Sequence, residues 1–203
     1  MTPTRHAPPP AGAGKSVAPA LRWFAFLRGI NVGGHTVTNE RLRELCAELG
    51  LADVESFIAS GNLTFRAPPR PAREYGPAAL EKKIGAHLRA ALGYDVVTFL
   101  RTPLELARIA TYPAFTPAEQ AKAVTLNVGF LSAPPTAAQL KVLAACASKS
   151  DTFRVDQREI YWHGLTRQSE SPFFKVPFEK RMGAPVTWRG VNTLRRFVEK
   201  YRG

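Results

Sequence analysis

The pattern of apolar positions predicts a strand, a helix and two further strands between residues 22 and 65. RWFAFLRGI (22–30) is a short apolar run rich in aromatic residues, as is typical of a strand. The next segment follows the N-cap residue Thr38 and carries an apolar stripe at helical spacing, made of Leu42, Leu45, Cys46 and Leu49. VESFIAS and NLTF predict two strands, with Ser60, Gly61 and Asn62 as the hairpin turn between them.

The same succession of elements continues and then repeats. A second helix carries Leu80, Ile84, Leu88 and Leu92, and DVVTFLR (95–101) predicts a strand, which completes the order βαββαβ. A connecting helix is predicted from Pro103, after the N-cap residue Thr102. The second unit comprises the alternating segment KAVTLNVGFL, a helix with Leu140, Leu143, Ala144 and Ala147 at core spacing, a hairpin turning at 157–158, and two helices near 172–183 and 191–201.

This order of elements predicts an α+β fold of two ferredoxin-like halves, each an antiparallel sheet of three or four strands with helices on one face. The first half spans residues 20–101, the connecting helix and loop 102–121, and the second half 122–203. Residues 1–19 have almost no large apolar side chain, so a disordered tail is predicted there. Its GAGKS segment lacks the first glycine and the preceding strand of a P-loop, which excludes that motif.

Composition limits the class of protein. The 203 residues, 45% of them hydrophobic, are enough for a buried core. The net charge of +12 favours nucleic acid or phosphorylated molecules as partners, although a compositional bias spread over a solvated surface explains it equally. No apolar run suits a membrane span or a signal peptide, and the two cysteines have no metal or disulfide spacing, so we expect a cytoplasmic protein with no membrane partner. No cofactor or metal is predicted, and the oligomeric state stays open.

The turn after the first strand is the first candidate site. Arg28 ends the strand, and Asn31, Gly33 and Gly34 follow before the helix. Glycines can turn several backbone N–H groups toward one point, and the N-terminus of the next helix adds partial positive charge, so Arg28 and this turn could hold a phosphate or carboxylate. The alternative is an ordinary tight turn in which Arg28 pairs with neighbouring groups. His35 is a weak candidate for acid–base catalysis.

Two other segments carry candidate polar residues. Ser60 and Asn62 lie in the predicted hairpin turn, where they either contact a ligand or merely form the turn. On the last helix, we expect Arg189, Asn192, Arg196 and Lys200 to share a face different from that of the apolar stripe. Residues 178–203 contain seven Lys or Arg and two Glu, so this basic face either attracts anions or is simply solvated.

Three motifs resemble one known family. LRGINVGG (27–34), SGNLTF (60–65) and TWRGVNT (187–193) are similar to segments of the bacterial domain-of-unknown-function family 1697, and the resemblance runs from about residue 22 to the C-terminus. The third motif of that family usually reads T-x-R-N-x-N-T. Gly190 stands here in place of its first asparagine, while Thr187, Arg189, Asn192 and Thr193 match. The resemblance supports the fold and the choice of site residues, and it implies no reaction.

Together these features favour a binding module for an anionic ligand, either nucleic acid or a phosphorylated small molecule. The predicted ligand-binding residues are Arg28, Asn31, Gly33, Gly34, Ser60, Asn62, Thr187, Arg189 and Asn192. Two alternatives stay open: a small enzyme of unknown reaction that uses the same polar cluster with His35, and a structural or interaction protein with a solvated basic surface. An RNA-recognition module is disfavoured because SGNLTFRA lacks the basic-glycine-aromatic signature that stacks bases.

Overall fold

The structure, a computed structural model, describes residues 20–31, 33–67 and 76–201; the tail predicted at 1–19 lies outside these ranges. Within them, the side chains of Ala59 and Ser60 are also outside the description. The first half contains β1 Leu21–Arg28, α1 Asn39–Glu48, β2 Ala52–Phe57, β3 Ala59–Ala67, α2 Pro77–Leu92 and β4 Val97–Arg101. Its four strands pair antiparallel in the order β2-β3-β1-β4, so the ferredoxin-like arrangement predicted for this half is confirmed.

The second half repeats this topology. Helices α3 Pro103–Thr111 and α4 Pro117–Lys122 connect the halves. The elements that follow are β5 Thr125–Phe130, α5 Ala137–Ala145, β6 Asp151–Asp156, β7 Glu159–Gly164, a 3₁₀ turn Pro172–Lys175, α6 Phe178–Met182, β8 Thr187–Gly190 and α7 Val191–Lys200. The strand order β6-β7-β5-β8 matches that of the first half, with each fourth strand at an edge beside the first strand. The α+β fold of two similar halves is therefore confirmed.

Local sequence signals place most of these boundaries. The Thr38 hydroxyl accepts a hydrogen bond from the Arg41 N–H and so caps α1, as predicted. Thr102 and Glu105 form a reciprocal capping box at the start of α3, which begins at the predicted proline. Gly93 takes the left-handed conformation that ends α2, with a φ of 81°.

Two local predictions are wrong. The reversal between β2 and β3 lies at Ile58, with Phe57 paired to Ala59, so Ser60, Gly61 and Asn62 belong to β3 and do not form the turn. Ile58 has a φ of 62°, a conformation that the sequence gives no reason to expect of a β-branched residue.

The second error concerns the region after residue 171. The helix expected near 172–183 is divided into a 3₁₀ turn and the short α6, because Pro177 holds the preceding Val176 in an extended conformation. Residues 187–190 form β8, a four-residue strand that completes the second sheet. Only Trp188 among these four residues is large and apolar, so periodicity does not reveal the strand.

The two sheets share one core. Phe24 and Phe26 of β1 face the second half, and the ring of Phe26 stacks on that of Phe130 with 4.2 Å between centroids. Leu194 and Phe197 of α7 close this layer together with residues of α3. The outer face of the first sheet packs against α1 and α2, and the outer face of the second packs against α5 and α6. The outer face of each sheet thus packs against two helices, and the inner face packs against the shared layer, which includes α3 and α7.

Side-chain burial departs from prediction on α5. Leu143 is buried, but Leu140 is 42% exposed, because this helix covers only part of the second sheet. Cys46 is buried on α1, whereas Cys146 is partly exposed at the end of α5.

Candidate functional site

The three motifs converge at one cleft between the halves. The cleft has a volume of about 480 Å³ and lies where the ends of β1, β3 and β8 approach one another. We call it the motif cleft, and it is lined by residues 27–31, Ile58, Gly61, Asn62, 187–190 and Thr193. Of the predicted ligand-binding residues, Arg28, Asn31, Asn62, Thr187 and Arg189 line it.

Arg189 is the central side chain of the motif cleft. It belongs to β8 and not to the last helix, so its predicted place on a helical face with Asn192, Arg196 and Lys200 is wrong. Its guanidinium donates Nε–H to the side-chain amide oxygen Oδ1 of Asn62, and Nη2 donates to the main-chain oxygens of Leu27 and Gly61 at 2.9 and 3.0 Å. Nη1 donates to the Thr187 hydroxyl and to the Trp188 carbonyl, both at 2.8 Å. Arg189 therefore joins the second half to β1 and β3 of the first.

The glycine of the SGN motif makes room for this guanidinium. A Cβ at Gly61 would lie 2.8 Å from Nη2 of Arg189 and 3.3 Å from the Leu27 carbonyl oxygen. Any side chain at Gly61 would therefore displace the guanidinium or the adjacent strand. The second and third motifs are thus in direct contact, with Arg189 packed against Gly61 and hydrogen-bonded to Asn62.

Among the described residues, no acidic group pairs with the positive charge of Arg189. Every partner that the structure gives its guanidinium, within the described residues, is a neutral oxygen of a carbonyl, amide or hydroxyl group. Burial in the cleft lowers the pKa of Arg189 to about 10, so the group stays charged at neutral pH. An uncompensated charge of this kind raises the electrostatic potential in the cleft and favours an anion there.

The opposite end of the interface provides an internal comparison. Arg101 lies in β4, the fourth strand of the first half, as Arg189 lies in the fourth strand of the second. Arg101 donates to the Leu131 carbonyl just after β5 and to the carboxylate of Glu159 at the start of β7, 2.7 Å from Nε. In each half, the arginine of the fourth strand thus contacts the other half, at the end of its first strand and the start of its third strand. Glu159 neutralises Arg101, whereas the corresponding partner of Arg189 is the neutral Asn62.

Arg28 has a carboxylate partner. Its guanidinium forms a bidentate ion pair with Glu179 of α6, and Glu179 also accepts the Val186 N–H at 2.7 Å. This contact matches the alternative in which Arg28 pairs with neighbouring groups. Arg28 nevertheless lines the motif cleft, so its role toward a ligand stays a prediction.

Only part of the glycine-rich turn lies at the motif cleft. The Asn31 side chain accepts the Val37 N–H at 2.7 Å, which shapes the loop, and its φ is 53°. Gly33 and Gly34 have φ values of 62° and 86° and are exposed outside the cleft lining. His35 also lies outside it and stacks on Tyr94, with centroids 4.1 Å apart. The geometry therefore does not bring His35 to the polar cluster.

The N-terminus of α7 forms another wall of the motif cleft. Gly190 is the N-cap residue of this ten-residue helix, and no side chain caps it. Asn192 lies in the exposed first turn, outside the cleft lining, whereas Thr193 lines the cleft. Ser60 is in β3, but its side chain lies outside the described residues. The N–H groups of the first turn, which no N-cap side chain satisfies, are suited to an anionic acceptor.

The sequence does not identify every important residue of this region. Glu179, the partner of Arg28, and Glu159, the partner of Arg101, show no sequence signal, because each pairs with a residue more than fifty positions away. Thr193 is part of the third motif, so the resemblance already points to it. Within residues 20–31, 33–67 and 76–201, no cluster of His, Cys, Asp or Glu could hold a metal ion, and no helix is long and apolar enough to cross a membrane.

The fold and the cleft define a class of α+β protein in which two ferredoxin-like halves enclose a polar cleft. The model of the family described as "Protein of unknown function (DUF1697)" matches residues 21–161, and the chain therefore belongs to this family. The matched span contains the first two motifs, and the third lies beyond it. A solved structure of a conserved bacterial protein from Streptococcus pneumoniae is similar, with a TM-score of 0.68 and 21% sequence identity over 91% of this chain and all of that one. This likeness shows the fold. None of the curated proteins compared with the chain matches it.

Proposed function

We propose that the motif cleft binds the anionic group of a phosphorylated small molecule. The observation that carries this proposal is the charge of Arg189, whose partners in the cleft are all neutral oxygens. At the other end of the interface, the guanidinium that joins the halves, Arg101, is paired with the carboxylate of Glu159. Asn62 in the corresponding place leaves a full positive charge for a ligand.

Arg189 contributes charge, and other groups contribute hydrogen bonds. All five of its N–H groups already donate to protein oxygens, so a bidentate pairing between Arg189 and a phosphate would require those bonds to break. The uncapped first turn of α7 and the Thr193 hydroxyl are the donors available at the wall of the cleft. A phosphate at this point interacts favourably with both the helix N-terminus and the nearby guanidinium.

The architecture favours a small ligand over nucleic acid. Phe24, Phe26 and Phe99 lie on the sheet face that an RNA-recognition module uses for base stacking, and here that face is buried against the other half. The volume of about 480 Å³ lies within the range typical of small-molecule sites.

The proposal is tested by calorimetric titration with inorganic pyrophosphate, ribose 5-phosphate, AMP, single-stranded RNA and duplex DNA at two salt concentrations. We compare Gly190→Asp with Gly190→Asn, a pair that differs in charge and little in shape. A Cβ at Gly190 meets its nearest heavy atoms at 3.6 and 3.8 Å, and the φ there is −62°, so both variants fit the fold. Either side chain can cap α7, so their difference isolates the effect of a negative charge in the cleft.

We expect at least one phosphorylated small molecule to bind at least tenfold more weakly to Gly190→Asp than to Gly190→Asn. Asn62→Asp, which gives Arg189 a carboxylate partner like that of Arg101, should weaken binding in the same way. Equal affinities of the two Gly190 variants would contradict the proposal, as would no binding of any phosphorylated small molecule to the wild type. Binding of RNA or DNA alone, with a salt slope near one per neutralised phosphate, would instead support the nucleic-acid alternative.

A further inference from the structure

A second cavity adjoins the motif cleft. This cavity, which we call the aromatic pocket, has a volume of about 450 Å³ and a mostly apolar wall. Its apolar lining consists of Phe173, Phe174, Phe178, Trp188, Val176, Val186 and Pro177. Arg28, Glu179 and Lys180 add charged groups to its lining. A concave apolar wall with few polar groups is the usual form of a small-molecule site.

The motif cleft and the aromatic pocket meet at β8. Arg28 and Trp188 line both. Successive side chains of a strand point to opposite faces, so Trp188 faces the aromatic pocket, while Arg189 faces the interface between the halves. β8 is an edge strand of its sheet, and among the described strands it pairs with β5 alone, so no further described strand of the sheet separates the two cavities.

The aromatic side chains of the pocket pack against one another. The Phe173 ring meets those of Phe178 and Trp188 edge to face, at centroid distances of 4.8 and 5.5 Å. Trp188 is seated over Gly129, where a Cβ would lie 2.8 Å from its ring. Phe174 is partly exposed and also lines the pocket. A fixed aromatic wall suits a planar ring, because stacking against it needs little ordering of the protein.

From this geometry we infer that the aromatic pocket holds a planar heterocycle whose phosphate lies in the motif cleft, which makes a nucleotide the class of ligand. The inference rests on the proposed function of the cleft. The Arg28–Glu179 pair lines the aromatic pocket and supplies both donor and acceptor atoms, as the polar edge of a nucleobase requires. Lys180 adds a second cation at the rim.

The test separates the heterocycle from the phosphate. Calorimetric titrations compare AMP, ribose 5-phosphate and adenosine on the wild type, Phe174→Leu and Phe153→Leu. Phe153 is a matched control because it is a partly buried aromatic residue of the same apolar cluster, 4.8 Å from the Phe173 ring, that does not line the pocket. Thermal unfolding of each variant checks that the fold is intact.

We expect the wild type to bind AMP at least tenfold more tightly than ribose 5-phosphate. Phe174→Leu should reduce the ratio of the two affinities to less than threefold and leave the affinity for ribose 5-phosphate unchanged. Phe153→Leu should bind AMP and ribose 5-phosphate with the same ratio of affinities as the wild type. Equal binding of AMP and ribose 5-phosphate by the wild type would overturn the inference while the anion site survives. Failure of both AMP and ribose 5-phosphate to bind would overturn the inference, and the proposed function would fail as well if inorganic pyrophosphate also did not bind. If adenosine binds as tightly as AMP, the phosphate adds nothing to the affinity, and the inference that one ligand occupies both cavities is overturned.

Discussion

Replacing Gly61 with alanine tests whether the guanidinium of Arg189 is locked in the motif cleft. The added Cβ would lie 2.8 Å from Nη2, whereas contact between nonbonded atoms of this kind is near 3.5 Å, so Nη2 must move by roughly 0.7 Å. Its bonds to the Leu27 and Gly61 carbonyl oxygens, now 2.9 and 3.0 Å long, would then reach the limit for hydrogen bonding.

The expected cost follows from those two bonds. A hydrogen bond to a charged group contributes about 1.5–3 kcal/mol, and water can replace part of it at this partly exposed residue, so the lower end applies. We therefore expect Gly61→Ala to lower the free energy of unfolding by about 3 kcal/mol. In a chain of this size the melting temperature falls by about 2–4 °C per kcal/mol, which gives a decrease of roughly 6–12 °C.

Thermal unfolding followed by circular dichroism measures this decrease. Gly190→Ala is the control, because its Cβ has ordinary contacts and the loss of glycine at an N-cap should cost less than about 1 kcal/mol. A melting temperature of Gly61→Ala within about 1 °C of the wild type would refute the reasoning, since Arg189 could then move without losing its bonds.

Two further predictions concern titratable groups. Burial raises the pKa of the Cys46 thiol to about 12, so a thiol reagent should label only Cys146 rapidly in the native protein and should reach Cys46 after unfolding; two rapid thiols would contradict this burial. Hydrogen bonds from Tyr201 and Lys200 lower the pKa of Glu55 in the folded state, so their stabilisation is present above the unfolded pKa of about 4.3 and is lost as the pH falls through the folded value. Glu55→Gln should therefore melt below the wild type at pH 6, and the difference should shrink as the pH falls below the unfolded pKa of about 4.3. A difference that stays constant from pH 6 into the acid range would count against the assignment.

The sequence predicts the fold well where one local signal determines an element. The apolar stripes and caps of α1, α2 and α3 place these helices to within a residue or two, and alternation places β5. The reversal at Ile58 escapes prediction because the local sequence gives no reason to expect a left-handed conformation at a β-branched residue. The strand β8 escapes prediction because it depends on pairing with β5, which is distant in sequence. A four-residue strand with a single large apolar side chain has no periodicity to detect.

The candidate site is predictable as a set of residues and not as a geometry. The three motifs contain Asn62, Thr187 and Arg189, which the structure brings together, but they also contain Gly33 and Gly34, which lie outside the cleft. No pattern along the chain shows that Arg28 pairs with Glu179, because 151 positions separate them. The place of Arg189 on a strand, and hence its burial, follows only from the pairing of β8 with β5.

The repeated topology explains why one end of the interface is closed and the other is suited to a ligand. At one end, Arg101 and Glu159 are 0% and 1% exposed, and their charges cancel within the protein. At the other end, the corresponding arginine meets Asn62, and its charge remains beside an open cleft. Burying an ion pair costs desolvation free energy for both partners, so the pair contributes mainly to the alignment of the halves. Burying an arginine among neutral oxygens also costs desolvation free energy, but its charge still attracts anions. The arginine of the fourth strand thus forms an internal ion pair at one end of the interface. At the other end, in our proposal, the corresponding arginine provides the charge of the anion site.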